Sequence, residues 1–549
     1  MKKNLFKIFS VAVLGLTIAS CSNPAKMAKE SQLVGVECNP KVLEVVADEI
    51  TATYTMSFPE KYFHPKAILE VIPVLVYNGG EVAAPAFKLQ GEKITDNFQV
   101  ISVKGGKASN TVKFAYKPGM EKSHLELRVA VWNKTKKISF PAPYKLADGA
   151  NITYKLVHTE GVTALMGHNY QKFLSEKKET QLLYKINDYK IKPKTLTKKE
   201  IKEFEEFLAQ IEKDERRAVK STDIVAYASP DGGMDLNSKL SAKRGETAKE
   251  AFAKITKKAP VTAPLNVSTV AEDWDGFQEL VSGSEIKDKE LILRVLSMYS
   301  DPMVREREIR NMSKVFKTLA DKILPELRRA RFIANIEYTN YNEQELVELV
   351  KTNIEIMDVE ALLYAGSLMK DADGKIMAYK KAAEKFNDDR AINNLTATYL
   401  DNGKVAEAKA ALAKINNKDT YYYNNAGVIA LRDKNYKAAV ENFAKSDLKV
   451  AKYNSAIVDI LNGRYNEAVS KLAGSGDENE GLAFILTNQL DKAAAAIKCK
   501  CPHAAYQRAI IAARKGNAAE VDAQLAIVAK SKSLNERAQN DIEFAKYRK

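Results

Sequence analysis

Between residues 33 and about 175 the apolar residues alternate with polar ones or run in short β-branched blocks, over 45–57, 67–77, 97–103, 110–116 and 124–132. That is the period of half-buried strands, and Asn78-Gly79-Gly80 and Gly105-Gly106 supply turns between them. The period then changes. Residues 200–211 are amphipathic at helical spacing, and 223–227 read as a strand ended by the turn Pro230-Asp231-Gly232-Gly233. Leu240, Ala248, Ala251 and Ile255 form the apolar stripe of a helix that opens at Leu240 and carries Arg244 near its first turn. From about 271 to 325, Trp274, Phe277, Leu280, Leu291, Ile292, Val295 and Leu296 predict helices with a small core of their own. From about 353 onward the pattern is helix on helix. Four-residue motifs beginning at Val405, Tyr436, Tyr465 and Leu490 recur at intervals of 31, 29 and 25 residues. Each closes on an alanine (Ala408, Ala439, Ala468, Ala493) and is followed four positions later by Leu412, Phe443, Leu472 or Ile497, while Gly403, Asn435 and Gly463 mark the turns within pairs.

These spacings predict three folded parts: an antiparallel β-sandwich of the immunoglobulin-like sort over 33–175, an α+β domain over 180–340 with a helical insertion at about 271–325, and a C-terminal α-solenoid over 353–549. Tyr423, Gly427, Ala439 and Phe443 fit the small-and-large packing pattern of the tetratricopeptide repeat, which the solenoid resembles. Its periods are shorter than that family's usual one of about 34. Units of this kind bury apolar surface only on their neighbours, and the concave surface they build usually takes a peptide or another protein. Tyr421, Tyr422 and Asn425 are candidates for such a surface. Packing is the competing role for the tyrosines, because a helix spreads consecutive side chains around its circumference.

Asn237, Leu240, Ser241 and Arg244 match the Asn-x-x-Leu-Ser-x-x-Arg core of the OmpA-like, peptidoglycan-associated domain, which the central segment resembles. Residues 181–193, followed by 200–211, look like that family's first strand and first helix. Leu327-Arg328-Arg329-Ala330, followed by 332–338, looks like its closing strand. The resemblance implies a site for the diaminopimelate of the cell-wall peptide, held between an Asp and the Arg fifteen positions later. Here the Arg is Arg244, and Ser229 stands where the family has Asp. An ammonium facing Ser229 would lose a charged partner, and a hydrogen bond to a charged group contributes about 1.5–3 kcal/mol. Asp231 and Asp235 lie close by as replacement carboxylates, so the candidate peptidoglycan-binding set is Ser229, Asp231, Asp235, Asn237 and Arg244. Residues 69–77 resemble the N-terminal domain that precedes OmpA-like modules in some envelope proteins.

The N-terminus is a positive start, Met1-Lys2-Lys3, then an apolar run over 8–19 and Ile18-Ala19-Ser20-Cys21. A short apolar core with small residues before a Cys is a secretory signal of the bacterial lipoprotein pattern, which predicts a signal peptide over 1–20, lipid on Cys21 and a linker over 21–32. The apolar run is too short to span a bilayer, and no later stretch approaches about 20 apolar residues. Ser22 follows the lipid Cys with no acidic residue there, which implies the outer membrane and its periplasmic face.

The formal net charge of +15 falls to +12 once Lys2, Lys3 and Lys7 leave with the signal. That balance suits anionic lipid, wall polymer or acidic protein and steers encounter more than it confers specificity. No nucleic-acid recognition motif accompanies it. Cys38, Cys499 and Cys501 are too few and too uneven for a disulfide framework. The pair in Cys499-Lys500-Cys501-Pro502-His503 is spaced too tightly for a four-ligand structural zinc site, so no metal or cofactor is expected. A disulfide from Cys38 to one of the pair and plain buried thiols stay open. None of the five His sits in a nucleophile or metal arrangement. Asp273 and Asp275 beside Trp274 suit glycoside chemistry or an acidic surface turn equally. The chain therefore reads as non-catalytic. Two functions fit: an outer-membrane lipoprotein that tethers the envelope to peptidoglycan and scaffolds a protein partner through its repeats, and a subunit of an envelope assembly or secretion complex whose OmpA-like domain docks protein and has lost wall binding.

Overall fold

The computed structural model describes residues 23–257 and 261–548, except the side chains of 313–315. The signal peptide and Cys21 lie outside the described residues. Among the described residues no helix is long and apolar enough to cross a membrane. The chain forms two units, one of residues up to Met166 together with Ala382 onward, the other Gly167–Lys381.

The first unit opens with a short helix, Pro24–Lys29, whose Met27 and Ala28 join the core where the sequence suggested a linker, and continues in eleven strands: β1 (Gly35–Asn39), β2 (Val42–Val46), β3 (Glu49–Phe58), β4 (Ile68–Tyr77), β5 (Gly80–Ala83), β6 (Phe87–Gly91), β7 (Gln99–Ile101), β8 (Gly106–Ala115), β9 (Ser123–Asn133), β10 (Lys136–Ser139) and β11 (Tyr144–Asn151). Period-two patterning builds them as expected. On β3, Ile50, Ala52, Tyr54, Met56 and Phe58 are buried, and the β4–β9 register sets Leu69 opposite Val131, Val71 opposite Val129 and Leu75 opposite Leu125, so apolar side chains share a face. The strands make one curled sheet instead of two separate layers: β2 pairs with β3 in a hairpin and, parallel, with β11, and the order runs β1-β3-β2-β11-β9-β4-β6-β7. The block 45–57 is not one strand. Ala47 and Asp48 turn it at φ 52° and 58°, and the Asp48 carboxylate is held there by the Tyr154 hydroxyl at 2.8 Å.

The same unit continues in five helix pairs: Asp389–Asp401 with Val405–Leu412, Thr420–Arg432 with Tyr436–Phe443, Lys449–Leu461 with Tyr465–Leu472, Glu478–Leu486 with Leu490–Ala496, and Pro502–Arg514 with Ala518–Val528. The repeating motifs open the second helix of the first four pairs, and Ala408, Ala439, Ala468 and Ala493 are completely buried where the helices cross. Gly427 is required at one crossing, because a Cβ there would lie 2.4 Å from the Phe443 ring. The left-handed residues of the five turns are Gly403, Lys434, Gly463, Asn488 and Gly516. Asn435 is therefore not the turn residue: its side chain caps the next helix by accepting from Ala438 N. Sheet and helix pairs share a continuous apolar core that includes Leu43, Tyr154, Leu156, Val458 and Phe544.

The second unit holds a four-stranded sheet, β12 (Phe173–Leu183), β13 (Arg217–Tyr227), β14 (Leu265–Val270) and β15 (Arg329–Thr339), in the order β12-β15-β13-β14. Only β13 and β14 are parallel. The helices Lys199–Ile211 and Met234–Ile255 lie on it through Phe204, Leu208, Ala248 and Phe252, which pack with Ile224 and Phe332. Two sequence expectations shift: the first strand is at 173–183, eight residues before 181–193, and the long helix opens at Met234, so Arg244 sits in its middle. Between β14 and β15 the inserted helices build their own core from Trp274, Phe277, Ile292, Leu296, Leu319 and Leu324, while Leu291, assigned to it from the pattern, is half exposed. Helices Glu343–Thr352 and Val359–Leu368 complete the unit, so residues 353–381 fall here and not with the five pairs.

Candidate functional site

The turn after β13 brings three of the five candidate wall-binding residues, Ser229, Asp231 and Asn237, together and satisfies them internally. Asn237, 3 % exposed, donates its amide to Ser229 O at 3.1 Å and to Gly232 O at 2.7 Å, which ties the turn to the helix that follows. Ser229 donates its hydroxyl to the Asp231 carboxylate, and Arg328 reaches the same carboxylate at 3.1 Å. Asp231 is thus neutralised by the chain's own cation. Asp235 points to solvent in the first turn of the helix Met234–Ile255.

Arg244 is the correction. Its side chain is 1 % exposed, and its guanidinium donates to Asp188 O at 3.0 Å, Tyr227 O at 2.8 Å and Lys185 O at 3.2 Å, over the face of the Tyr184 ring. Burial pushes its pKa down to about 10. A cation in this position fastens the segment after β12 to the end of β13. Each of its three nitrogens already serves a backbone carbonyl and the side chain is enclosed, so it presents no open fork to a ligand carboxylate. The other acidic candidate dissolves as well: Asp273 is buried, bridges to Arg329 at 2.9 Å and caps its helix through Gly276 N, while Asp275 is exposed, so the two do not face a common substrate.

The repeats show a second arrangement. Residues 157–166 run extended along the first helices of the pairs, and a ladder of buried asparagines holds their backbone. Asn425 accepts from Ala164 N at 2.9 Å and donates to Ala164 O at 2.9 Å; Asn394 does the same for Met166 at 2.7 and 2.9 Å. Asn454 takes Val162 N at 2.7 Å and O at 2.8 Å, and Asn479 takes His158 N at 2.8 Å and O at 3.2 Å. A primary amide carries one acceptor and donors on one plane, so it pairs with a strand's N–H and C=O as another strand would. Gly161, at φ 68°, bends the segment between His158 and Val162 and passes close to Val428, where a Cβ would meet a methyl at 3.2 Å. Between rungs the amides bond to each other, Asn425 to Asn393 at 2.8 Å and Asn454 to Asn424 at 3.0 Å.

No family model matches the chain, and no curated protein matches it. Among solved structures it is similar to a tetratricopeptide repeat protein from Parabacteroides merdae ATCC 43184, with 12 % identity over 43 % of this chain and 99 % of that one, at a TM-score of 0.29.

Asn425, a candidate for holding a foreign partner, is therefore fully buried on the chain's own segment. Tyr421 and Tyr422 are half-buried; Tyr422 packs on the core and edge-on against Tyr423 at 5.3 Å. The ladder itself escaped the sequence reading, although its signal was present: Asn394, Asn425, Asn454 and Asn479 are spaced by the same 31, 29 and 25 residues as the alanine motifs.

Proposed function

We propose that the protein is a non-catalytic scaffold of the bacterial envelope, anchored in the outer membrane through lipid on Cys21 and facing the periplasm, whose OmpA-like unit docks protein and does not hold the wall peptide. The observation that carries this reading is Arg244, buried and committed to three backbone carbonyls. The OmpA-like assignment is supported by the succession of strand, helix, strand, the long helix with Asn237, Ser241 and Arg244, and the closing β15. Ser229 in place of Asp removes the anionic half of the wall clamp, and internal pairing of Asp231 with Arg328 removes its nearest substitute. Tetratricopeptide-like pairs whose inner ladder is filled by residues 157–166 serve first to brace the chain, which leaves partner contact to their outer surfaces.

Co-sedimentation of the full-length protein with purified sacculi across a salt series tests the reading. Retention that disappears at modest salt is expected, since the net charge of +12 left after Lys2, Lys3 and Lys7 depart from the +15 of the full sequence adheres to an anionic polymer without specificity. Salt-resistant retention overturns it in favour of the wall tether.

A further inference from the structure

Glu478 opens the helix Glu478–Leu486, while Cys499 and Cys501 lie in the loop between Leu490–Ala496 and Pro502–Arg514. In sequence the two thiols alone are a poor metal motif. The fold adds a third donor: one carboxylate oxygen of Glu478 and the two sulfurs all lie within 4.8 Å of one another. We propose that these three residues bind one thiophilic divalent cation, zinc being the ion that the donor set fits best.

The site is built by contacts that do not depend on an ion. Arg508 donates to Ile497 O at 2.9 Å and to Cys499 O, which fixes the loop. Cys501 caps the helix Pro502–Arg514, its sulfur accepting from Ala504 N at 3.4 Å, and lies 3.4 Å from Glu478 Oε1; its own N–H donates to the Cys499 sulfur at 3.2 Å. On the carboxylate's side, Glu480 accepts from Gly474 N and Gly476 N at 2.7 Å and holds the turn that leads into Glu478. Cys499 is exposed and Cys501 half-buried, so an ion has a path in.

Two thiolates and a carboxylate repel one another once ionised, and a dication turns that repulsion into attraction. Zinc takes sulfur at about 2.3 Å and carboxylate oxygen at about 2.0–2.2 Å, so tetrahedral donors stand roughly 3.5 Å apart and the observed cluster needs only a small closing movement. Thiolates select against magnesium and calcium, and the carboxylate selects against copper(I). Three protein donors leave one tetrahedral position open. His503, two residues after Cys501, has a buried Nδ1 without a hydrogen-bond partner, and its ring lies tilted by 40° against that of His158 with centroids 4.0 Å apart. An ion here would staple the loop between the fourth and fifth helix pairs to the start of the fourth.

The test uses metal-free, thiol-reduced, full-length protein with cobalt(II) as probe. Expected are a sulfur-to-cobalt charge-transfer band that saturates at one ion per chain, displacement by zinc, and a rise in Tm on adding zinc. Cys499→Ser and Cys501→Ser each abolish the band and weaken zinc binding at least about tenfold, with circular dichroism unchanged. Glu478→Gln keeps the band and weakens zinc severalfold. A Cys21→Ser, Cys38→Ser double variant matches the wild type. No band in the wild type, a band that survives both single serine variants, or a Cys499–Cys501 disulfide whose reduced form binds neither ion overturns the site.

Discussion

Arg244 shows how one residue's role turns on where its donors point. A solvent-facing clamp residue is replaceable without much loss of stability, whereas a buried guanidinium with three carbonyl partners is not, because its removal strands each acceptor away from water. Arg244→Met is expected to destabilise the second unit by about 3 kcal/mol, against less than about 0.5 kcal/mol for Asp235→Ala at the exposed start of the same helix. The two tryptophans fall one in each unit, Trp132 on β9 and Trp274 in the insertion. Urea unfolding in a Trp132→Phe background, followed by Trp274 fluorescence, reads the effect. A neutral Arg244→Met would return the residue to the role of ligand clamp. The motif around Arg244 was legible in the sequence; the direction of its side chain was not, since Lys185, Asp188 and Tyr227 reach it only when β12 and β13 are in place.

At the scale of elements, the asparagine ladder replaces side-chain packing with backbone pairing. Its rungs address His158, Val162, Ala164 and Met166, while the N–H groups of Thr163 and Leu165 meet no acceptor among the described residues. Hydrogen exchange should therefore alternate along the segment, slow at residues 162, 164 and 166 and fast at 163 and 165. Asn425→Ala removes its two bonds to Ala164, one to Asn393 and one from Asn424, a loss of about 1–3 kcal/mol, and should raise exchange at Ala164 and expose 157–166 to protease. Uniform fast exchange in the wild type would show that the segment leaves the ladder in solution. Helix positions were legible here because the alanine motifs follow the crossings of the pairs. The occupant of the groove was not, because extended residues 157–166 carry no periodicity of their own and backbone readout asks for none.

For the whole molecule, the C-terminus acts on the N-terminal sheet. Glu543, half-buried near residue 549, accepts from Asn151 at 2.8 Å, Thr153 at 3.2 Å and Arg514 at 2.5 Å, and Arg537 donates to Ile152 O at 2.7 Å. Glu543→Ala leaves Arg514 without its carboxylate and cuts the sheet's last strand from the repeats. A loss of about 3 kcal/mol is expected, seen as an earlier transition of Trp132 fluorescence in a Trp274→Phe background. An unchanged Trp132 transition would mean that the shared core, and not this cluster, joins the two parts.

Periodicity in the chain by itself determined the order of strand-rich, mixed and helix-paired regions, the helix Lys199–Ile211 and the frame of the repeats, since each of these depends on which residues within one segment share a face. Tertiary structure alone decided what those faces meet. It joined β2 to β11 across about a hundred residues and so curled one sheet where two layers were expected. It enclosed Arg244 among carbonyls, laid residues 157–166 on asparagines more than two hundred residues away, and brought Glu478 to Cys499 and Cys501. Contacts between distant segments follow from packing and register, and a local pattern carries no record of its partner.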